Sequence, residues 1–312
     1  MEGEYFRGEK TKTKKQHYVP VFYLQKFCNK RGKLCVYDKK KERFIYPYPK
    51  DFCYKNYLYE YEASDSRFSN GKHILQNDIE NIYASEEKEY SSWFNIIIKR
   101  LDIQTNSSAR ILRKNEYETM LDLINNFLVR NPALMKMFLS EEYYEEFVRI
   151  TNENGSTELL DKLFHDAGFG SSEGFMRLAF KKSYLDTKNA EHNGFTLKPY
   201  IETMSFVFLK SEEKCFLTSD FPVRMGIPKT GDHFESLYMP ISPKYAVNFF
   251  HDKTVDKNTI RIIDEETANE LNRWVFQDNY SRYIISNDKN RIVKAMKLCN
   301  KKHILQNDKL EV

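Results

Sequence analysis

The chain has 312 residues, of which 41% are hydrophobic and 30% charged, a composition typical of a globular protein that can bury a full core. With 11 glycines and 9 prolines it is too poor in both to be collagen-like or linker-rich, and its net charge of +4 is below the basic excess typical of strong nucleic-acid binders. It contains no apolar run of about 18 residues and no apolar segment near the N-terminus, so we expect neither a membrane span nor a secretory signal.

The first third of the sequence predicts strands. Aromatic and β-branched residues over 34–38 and 43–46 are typical of two strands joined by a lysine-rich turn, so we expect a β-hairpin there. Ahead of them, residues 1–14 form a basic arm that suits either solvation or contact with phosphate groups. The arm contains Lys10, Lys12 and Lys14, and Lys15 follows it directly.

The middle of the sequence predicts a block of helices over 75–185. Apolar residues recur there at helical spacing, which indicates one long amphipathic helix over about 75–101. Asn115 predicts the N-cap of a helix over 116–130, and Pro132 suits the first turn of the next helix. Further helices are expected over 140–150, 157–167 and 172–184.

Strands return in the last third, and Asp264 predicts the N-cap of a helix over 265–278. The expected strands are 204–210, 215–218, 245–250, 282–286 and 292–296, followed by a terminal extension over 298–312. No change in composition separates the β portions from the helices. We therefore predict an α+β fold with antiparallel β portions at both ends of the chain and a central helical block, in a single domain over 1–312.

Two further features of the sequence bear on location and repeats. The five cysteines are odd in number and show no CxxC spacing, so we expect neither a disulfide scaffold nor a zinc knuckle, and a reducing cytoplasm fits best. The heptapeptide KHILQND occurs at 72–78 and again at 302–308. Because the flanking residues differ, it does not indicate a structural repeat.

Polar residues inside apolar segments are the candidates for chemistry. His17 lies close to Pro20 in an aromatic segment, where an imidazole can ligate a metal or pack with a hydrogen bond to the backbone. Asp220 follows an apolar strand in TSDFPV, where a carboxylate can face a pocket or form an Asx turn. The alternatives stay open at both positions.

A pair of carboxylates lies on the predicted long helix. Glu80 and Glu87 are seven residues apart, so they share one face of the helix, at the border of the predicted core. A carboxylate at that depth needs a cation, and Arg130 is the candidate because it ends an otherwise apolar helix. The pair can be a structural ion pair or part of an active site.

Six segments follow one another along the chain. They are HYVPxFYLxxF from His17, E-x6-E on the long helix, an RxP step at Arg130, TSDxPV from Thr218, PISP at 240–243, and a late LN helix followed by xxIS. This order of motifs resembles the bacterial domain of unknown function 4238, which is noted for an HYVP motif, and the resemblance covers about residues 14–287. The positions matched to the family are His17, Pro20, Glu80, Glu87, Arg130, Asp220, Pro222 and Asn272.

Two positions depart from the pattern that the resemblance implies. Asn131 stands where a threonine is expected, and Phe221 replaces the commoner asparagine, which removes a polar group beside Asp220. The resemblance implies an order of motifs and names no reaction.

The chemical character of the candidate set favours metal-assisted phosphoryl transfer. Carboxylates and an imidazole can hold a divalent ion, and an arginine can neutralise charge on a phosphate. We expect a hydrolase acting on nucleic acid or another phosphodiester, in a defence or toxin setting, with Mg or Mn held by His17, Glu87 and Asp220. The candidate catalytic residues are His17, Glu80, Glu87, Arg130, Asp220 and Asn272.

The same residues also fit a second hypothesis of a different class. A non-catalytic binding module for a small molecule or a protein could use them as a buried polar network. The chain has no HExxH, GxSxG, Walker or Rossmann motif that would decide between the two hypotheses.

Overall fold

In a computed structural model, the chain folds into two compact units, and the segments of the two units alternate along the sequence. Unit 1 comprises Met1–Tyr18, Tyr54–Glu86 and Pro132–Thr196, and unit 2 comprises Val19–Cys53, Glu87–Asn131 and Leu197–Val312. A single domain over 1–312 stays a prediction. The structure describes residues 14–62, 73–74, 77–104, 109–153, 156–166, 172–186, 197–213, 215–226, 236–252 and 258–307.

The predicted α+β class is confirmed, with strands at both ends of the chain and helices between them. The helices are α1 Val21–Leu24, α2 Asp78–Ile103, α3 Lys114–Val129, α4 Pro132–Phe138, α5 Glu141–Glu153, α6 Ser156–Asp166, α7 Glu173–Leu185, α8 Lys198–Glu202, α9 Glu265–Phe276 and α10 Lys289–Asn307. None of the described helices is long and apolar enough to cross a membrane.

The strands are short, and most of them pair antiparallel. They are β1 Lys15–His17, β2 Cys35–Asp38, β3 Arg43–Ile45, β4 Tyr54–Asn56, β5 Tyr61–Glu62, β6 His73–Ile74, β7 Ser205–Ser211, β8 Thr218–Ser219, β9 Arg224–Gly226, β10 Ser236–Pro240, β11 Tyr245–Phe250, β12 Thr259–Ile263 and β13 Tyr283–Ser286. In unit 1, β1 pairs with β4 and β5 pairs with β6.

Unit 2 contains two sheets. A five-stranded sheet has the order β12-β7-β11-β10-β9, in which β12 and β7 are parallel and the other pairs antiparallel. A four-stranded antiparallel sheet has the order β3-β2-β13-β8, and it contains the predicted hairpin of β2 and β3. The core of this unit joins both sheets to α9 and α10, through residues such as Val207, Phe216, Val275, Ile284 and Ile292.

Unit 1 has a smaller helical core. Tyr144 on α5 and Met176 and Phe180 on α7 are buried together, and partly buried residues of α5 and α6 pack against them. The α5 helix shows why: Tyr144, Phe147 and Val148 recur at i, i+3 and i+4, so they share one face.

Several local predictions are corrected by the structure. The predicted strand 292–296 is part of α10, because Ile292, Ala295 and Cys299 are buried at spacings of three and four, which is a helical period. Of the predicted strand 215–218, only Thr218 is in a strand, the two-residue β8 Thr218–Ser219. Helix α3 begins before Asn115, and the backbone N–H of Arg113 donates to the Glu116 carboxylate at 2.7 Å.

The repeated heptapeptide adopts two conformations. In the first copy, His73 and Ile74 form β6, whereas in the second copy 302–307 belong to α10. The terminal extension predicted over 298–312 therefore begins as helix. Most of the basic arm 1–14, the remaining part of 63–76 and 308–312 lie outside the described residues.

Candidate functional site

His17 and Glu80 belong to unit 1. His17 ends β1 opposite Tyr54, and its ring centroid lies 5.6 Å from the centroid of the Tyr54 ring. Its backbone carbonyl accepts a 2.7 Å hydrogen bond from the Tyr59 hydroxyl. Glu80 lies in the first turn of α2 and is half-buried. Convergence of His17, Asp220 and at least one of Glu80 and Glu87 on one site stays a prediction.

A buried polar pair beside His17 was not singled out from the sequence. Gln16 is fully buried, and its amide donates to the Glu60 carboxylate at 3.0 Å while its carbonyl accepts from the backbone N–H of Tyr59 at 2.7 Å. The same Glu60 carboxylate accepts from the backbone N–H of Asn77 at 3.2 Å. Burial of polar groups requires such pairing. The signal in the sequence was the glutamine next to HYVP.

The ion pair expected between the long helix and Arg130 is present. A guanidinium nitrogen of Arg130 lies 2.7 Å from an oxygen of Glu87 on α2, and it also donates to the Asn126 side chain at 3.2 Å. The Arg130 side chain is only 1% exposed, whereas that of Glu87 is 26% exposed. Arg130 therefore joins α3 to α2 from a buried position.

Asp220 closes the turn that follows β8. One of its carboxylate oxygens accepts from the backbone N–H groups of Arg282 and Tyr283, at 2.9 and 2.8 Å. The backbone N–H of Asp220 in turn donates to the Tyr283 carbonyl at 3.2 Å. Burial raises the pKa of Asp220 from 3.8 to about 6, against the effect of these hydrogen bonds. The carboxylate thus attaches the TSDFPV turn to β13.

A second buried carboxylate lies in the same region with two cations. Asp278 is buried, and an Arg224 guanidinium nitrogen lies 3.3 Å from its carboxylate. The ammonium of Lys39 donates to the Phe276 carbonyl at 3.3 Å and to the Ser281 hydroxyl at 3.1 Å. Burial raises the pKa of Asp278 and lowers that of Lys39. Lys39 therefore stabilises the C-terminal end of α9, where helix carbonyls attract a cation.

Asn272 attaches α9 to the segment before β8. Its side-chain carbonyl accepts from the backbone N–H of Leu217 at 2.8 Å, and its amide nitrogen donates to the Cys215 carbonyl at 2.8 Å. These two bonds satisfy backbone groups of the segment 215–217, which would otherwise need a neighbouring strand as their partner.

Three motifs meet at the hydroxyl of Tyr23, which the sequence alone did not single out. This fully buried hydroxyl lies 2.7 Å from the Thr218 hydroxyl and donates to the Pro240 carbonyl at 2.8 Å. Tyr23 belongs to HYVPxFYLxxF, Thr218 to TSDxPV and Pro240 to PISP. Their joint burial brings motifs from distant parts of the chain into one polar contact.

A pocket of about 300 Å³ opens beside the PISP turn, and we name it the PISP pocket. Two lysines line it. The ammonium of Lys26 donates to the Asn95 side-chain oxygen at 2.7 Å, and the ammonium of Lys244 donates to the Asp102 carboxylate at 2.8 Å. Tyr245 also donates to Asp102, at 2.7 Å. The lining residues are Lys26, Ile98, Asp102, Ser242, Pro243, Lys244, Tyr245 and Asn287.

Unit 1 holds a second cavity, of about 470 Å³, between α5, α6 and α7. Among the described residues that line it, the cation is Arg177, which pairs with Glu141 at 2.8 Å and with Glu173 at 3.0 Å, and which lies over the Tyr144 ring. These contacts join α7 to α5. The arginine therefore serves the packing of the helices around this cavity.

The proposed metal ligands belong to different units of the fold. His17 belongs to unit 1, whereas Glu87 and Asp220 belong to unit 2 and are engaged with Arg130 and with β13. Among the described residues, no three or more His, Cys, Asp or Glu side chains are placed to hold a metal ion. Binding of Mg or Mn by His17, Glu87 and Asp220 stays a prediction.

Comparison with known proteins identifies a family for this chain. No curated protein and no solved structure matches it. The model of one family, described as protein of unknown function (DUF4238), matches residues 15–290. That span includes Tyr23, Asp220, Asn272 and the PISP pocket. Because the match covers most of the sequence, the chain belongs to the DUF4238 family.

Proposed function

We propose that this protein is a ligand-binding module and that its binding site is the PISP pocket of unit 2. One observation carries the proposal: the pocket is lined by residues that lie in, or directly after, three motif segments. Lys26 comes from HYVPxFYLxxF, Ser242 and Pro243 come from PISP, and Asn287 follows the xxIS segment. Pockets that bind small molecules have volumes from roughly 300 Å³ upward.

The buried polar contacts of unit 2 support this proposal because they hold the walls of the pocket. Tyr23 attaches Pro240, at the start of the PISP turn, to Thr218 on β8. β8 pairs with β13, and Asn287 directly follows β13. Polar groups that are satisfied internally rigidify a site more than they react in it. This favours the binding-module hypothesis over the hydrolase hypothesis.

A pair of matched variants tests the proposal without assuming the chemistry of the ligand. Ile98 lines the pocket, so Ile98→Trp should fill it, whereas Ile96 lies two residues away on α2 and is 48% exposed. We expect thermal-shift measurements with nucleotides, sugar phosphates, sugars, amino acids and short nucleic acids to identify a class that raises the Tm. Ile98→Trp should abolish that shift, and Ile96→Trp should retain it. A shift that Ile98→Trp leaves intact would contradict the proposal, as would no shift with any class.

Phosphodiester hydrolysis is a second candidate function, favoured by the carboxyl of Asp220. Its pKa of about 6 lies near the range that suits a general base, and a half-buried cation, Lys39, interacts with it electrostatically. Cleavage of RNA and single-stranded DNA should then be measured with Mg and Mn, for the wild type, His17→Ala and Asp220→Ala. Cleavage lost in both variants would support a hydrolase of nucleic acid. Equal rates in all three proteins would exclude both residues from catalysis.

The cytoplasmic location and the nucleic-acid partner predicted from the sequence belong to the same set of proposals. All five cysteines are free thiols, which agrees with a reducing compartment. Of the basic arm, Lys14 and the adjacent Lys15 are described, and Lys15 lies over the Tyr54 ring at 4.6 Å. Binding of RNA through the arm should weaken steeply with salt, because each phosphate contact releases counterions.

A further inference from the structure

We infer that the PISP pocket recognises a terminal phosphate group, that is, a phosphate monoester. The inference rests on the proposed function, since it names the ligand class of the same pocket. A phosphate of this kind can be carried by a free sugar phosphate or mononucleotide, or by the terminal phosphate of a nucleic acid. These sources share the chemistry that the pocket would recognise, and the experiment below distinguishes them.

The charge of the pocket favours an anion. Lys26 and Lys244 contribute two ammonium groups against one carboxylate, that of Asp102. Burial opposes ionisation of Asp102, but hydrogen bonds from Lys244 and Tyr245 prevail and hold the pKa of its carboxyl below the usual value. With Asp102 ionised and both lysines protonated, these three groups carry one net positive charge.

The positions of the two lysines leave donors available to a ligand. Each ammonium has three N–H groups. Lys26 donates one of them to the Asn95 side chain, and Lys244 donates one to Asp102 and also interacts with the Tyr245 side chain. Burial lowers the pKa of Lys26, which shows that its ammonium is partly removed from water. A partly desolvated cation attracts an anion more strongly than a fully hydrated one.

Two neutral groups add donors to the same pocket. The Ser242 hydroxyl oxygen accepts from the backbone N–H groups of Lys244 and Tyr245, both at 3.2 Å, so its own O–H is left to donate. The side-chain oxygen of Asn287 accepts from the Ser286 hydroxyl at 3.4 Å, which orients the Asn287 amide nitrogen as a donor. Ammonium, hydroxyl and amide donors together match the three or more oxygens of a phosphate better than the two of a carboxylate.

The rest of the lining restricts the size and polarity of the ligand. Ile98 and Pro243 contribute apolar surface, which suits the carbon skeleton of an ester. The volume of about 300 Å³ is at the lower end of the range for small-molecule sites. A sugar phosphate or one nucleotide therefore fits the space better than a longer segment of nucleic acid.

The test measures binding to the full chain by calorimetry and thermal shift. The probes are inorganic phosphate, ribose 5-phosphate, adenosine monophosphate, a 5′-phosphorylated RNA pentamer, and unphosphorylated ribose and RNA pentamer as matched controls. We expect the phosphorylated probes to bind and their unphosphorylated counterparts to bind at least tenfold more weakly. Preference for ribose 5-phosphate or the mononucleotide identifies a free phosphate ester, and preference for the pentamer identifies a nucleic-acid terminus.

Variants of the charged residues should change the phosphate affinity in opposite directions, which a merely structural role of these residues would not produce. Lys26→Gln and Lys244→Gln should each weaken phosphate binding about tenfold or more, since each removes a charged hydrogen-bond donor. Asp102→Asn keeps an acceptor for Tyr245 but removes the competing charge, so it should tighten binding several-fold. Lys41→Gln removes an exposed lysine at the β2–β3 turn, outside the pocket, and should leave the affinity unchanged.

The outcomes separate this inference from the proposed function. If an uncharged sugar or an amino acid binds and Ile98→Trp abolishes this binding, the proposed binding module is supported and the inference that the ligand carries a phosphate is overturned. Phosphate binding unaffected by Lys26→Gln and Lys244→Gln, or weakened by Asp102→Asn in a folded protein, would also overturn it. Circular dichroism of each variant shows whether the fold is retained.

Discussion

The hydroxyl of Tyr23 lies 2.7 Å from the hydroxyl of Thr218, although 195 positions separate the two residues in the sequence. Both residues are fully buried, and the Tyr23 ring also packs edge-on against Phe94 and Phe127. Burial raises the pKa of Tyr23 far above its ordinary value, so the phenol stays protonated and donates to Pro240. This contact connects the start of the family match to the PISP turn beside the candidate pocket.

Removing the Tyr23 hydroxyl should destabilise the protein. Tyr23→Phe keeps the ring but leaves the Pro240 carbonyl without its donor in a site that water does not reach, so we expect a loss of about 1–3 kcal/mol in the free energy of unfolding. Tyr48→Phe is the matched control, because Tyr48 is 46% exposed, and it should change stability by less than about 0.5 kcal/mol. Urea denaturation measures both. Equal effects of the two variants would contradict this role for Tyr23.

The Glu87–Arg130 ion pair should show energetic coupling. Glu87→Gln, Arg130→Met and the double variant form a cycle in which the pairwise term is isolated from other contacts of the arginine. Because Arg130 is buried and Glu87 is about one-quarter exposed, we expect a coupling energy of about 1–3 kcal/mol, below that of a fully buried pair. Denaturation at low and high salt measures it. A coupling energy near zero would show that the contact adds nothing to stability.

The buried carboxyl of Asp220 should make stability depend on pH. Since burial raises its pKa from 3.8 to about 6, its favourable contribution is complete below about pH 4 and is lost as pH rises through 6. Asp220→Asn keeps an oxygen acceptor for Arg282 and Tyr283 but cannot ionise. The variant should therefore gain stability relative to the wild type between pH 4 and pH 8, by about 2–3 kcal/mol.

Denaturation midpoints across this pH range test the sign as well as the size of the effect. Glu142→Gln changes an exposed carboxyl in the first turn of α5 and serves as the control, for which we expect a much smaller effect. A difference for Asp220→Asn that shrinks as pH rises would mean that the folded state favours the ionised carboxylate at this position.

Asn272 should be intolerant of a change that preserves its shape. Asn272→Asp keeps the acceptor for Leu217 but replaces the donor to Cys215 with an oxygen, which faces the Cys215 carbonyl in a buried site. We expect a loss of about 2–4 kcal/mol at pH 7, because a buried charge would also lose its hydration. Asn81→Asp, on an exposed face of α2, is the control and should be nearly neutral. Thermal denaturation of both proteins is sufficient, and equal melting temperatures would refute the role of Asn272.

Much of the fold could be predicted where neighbouring residues decide the structure. The β2–β3 hairpin follows from alternating residues around a turn, and Asp264 accepts from the backbone N–H of Thr267 at 2.8 Å as the predicted N-cap of α9. The Glu87–Arg130 contact could also be anticipated, because a carboxylate at the core border needs a cation. Short apolar runs were less informative, because a run of five residues fits the period of a strand as well as that of a helix. The segment 292–296, predicted as a strand, is an example, since it is part of helix α10.

The sequence by itself determined the α+β class, the central helices and the family, because periodicity, caps and the order of motifs are all properties of the chain read in one direction. Only the tertiary structure decided which polar groups meet. The Tyr23–Thr218 contact, the two bonds of Asn272 and the lining of the PISP pocket each join residues from separate elements. The described parts of the two KHILQND copies differ likewise, since His73 and Ile74 form β6 whereas 302–307 belong to α10, so the local sequence alone does not decide their conformation.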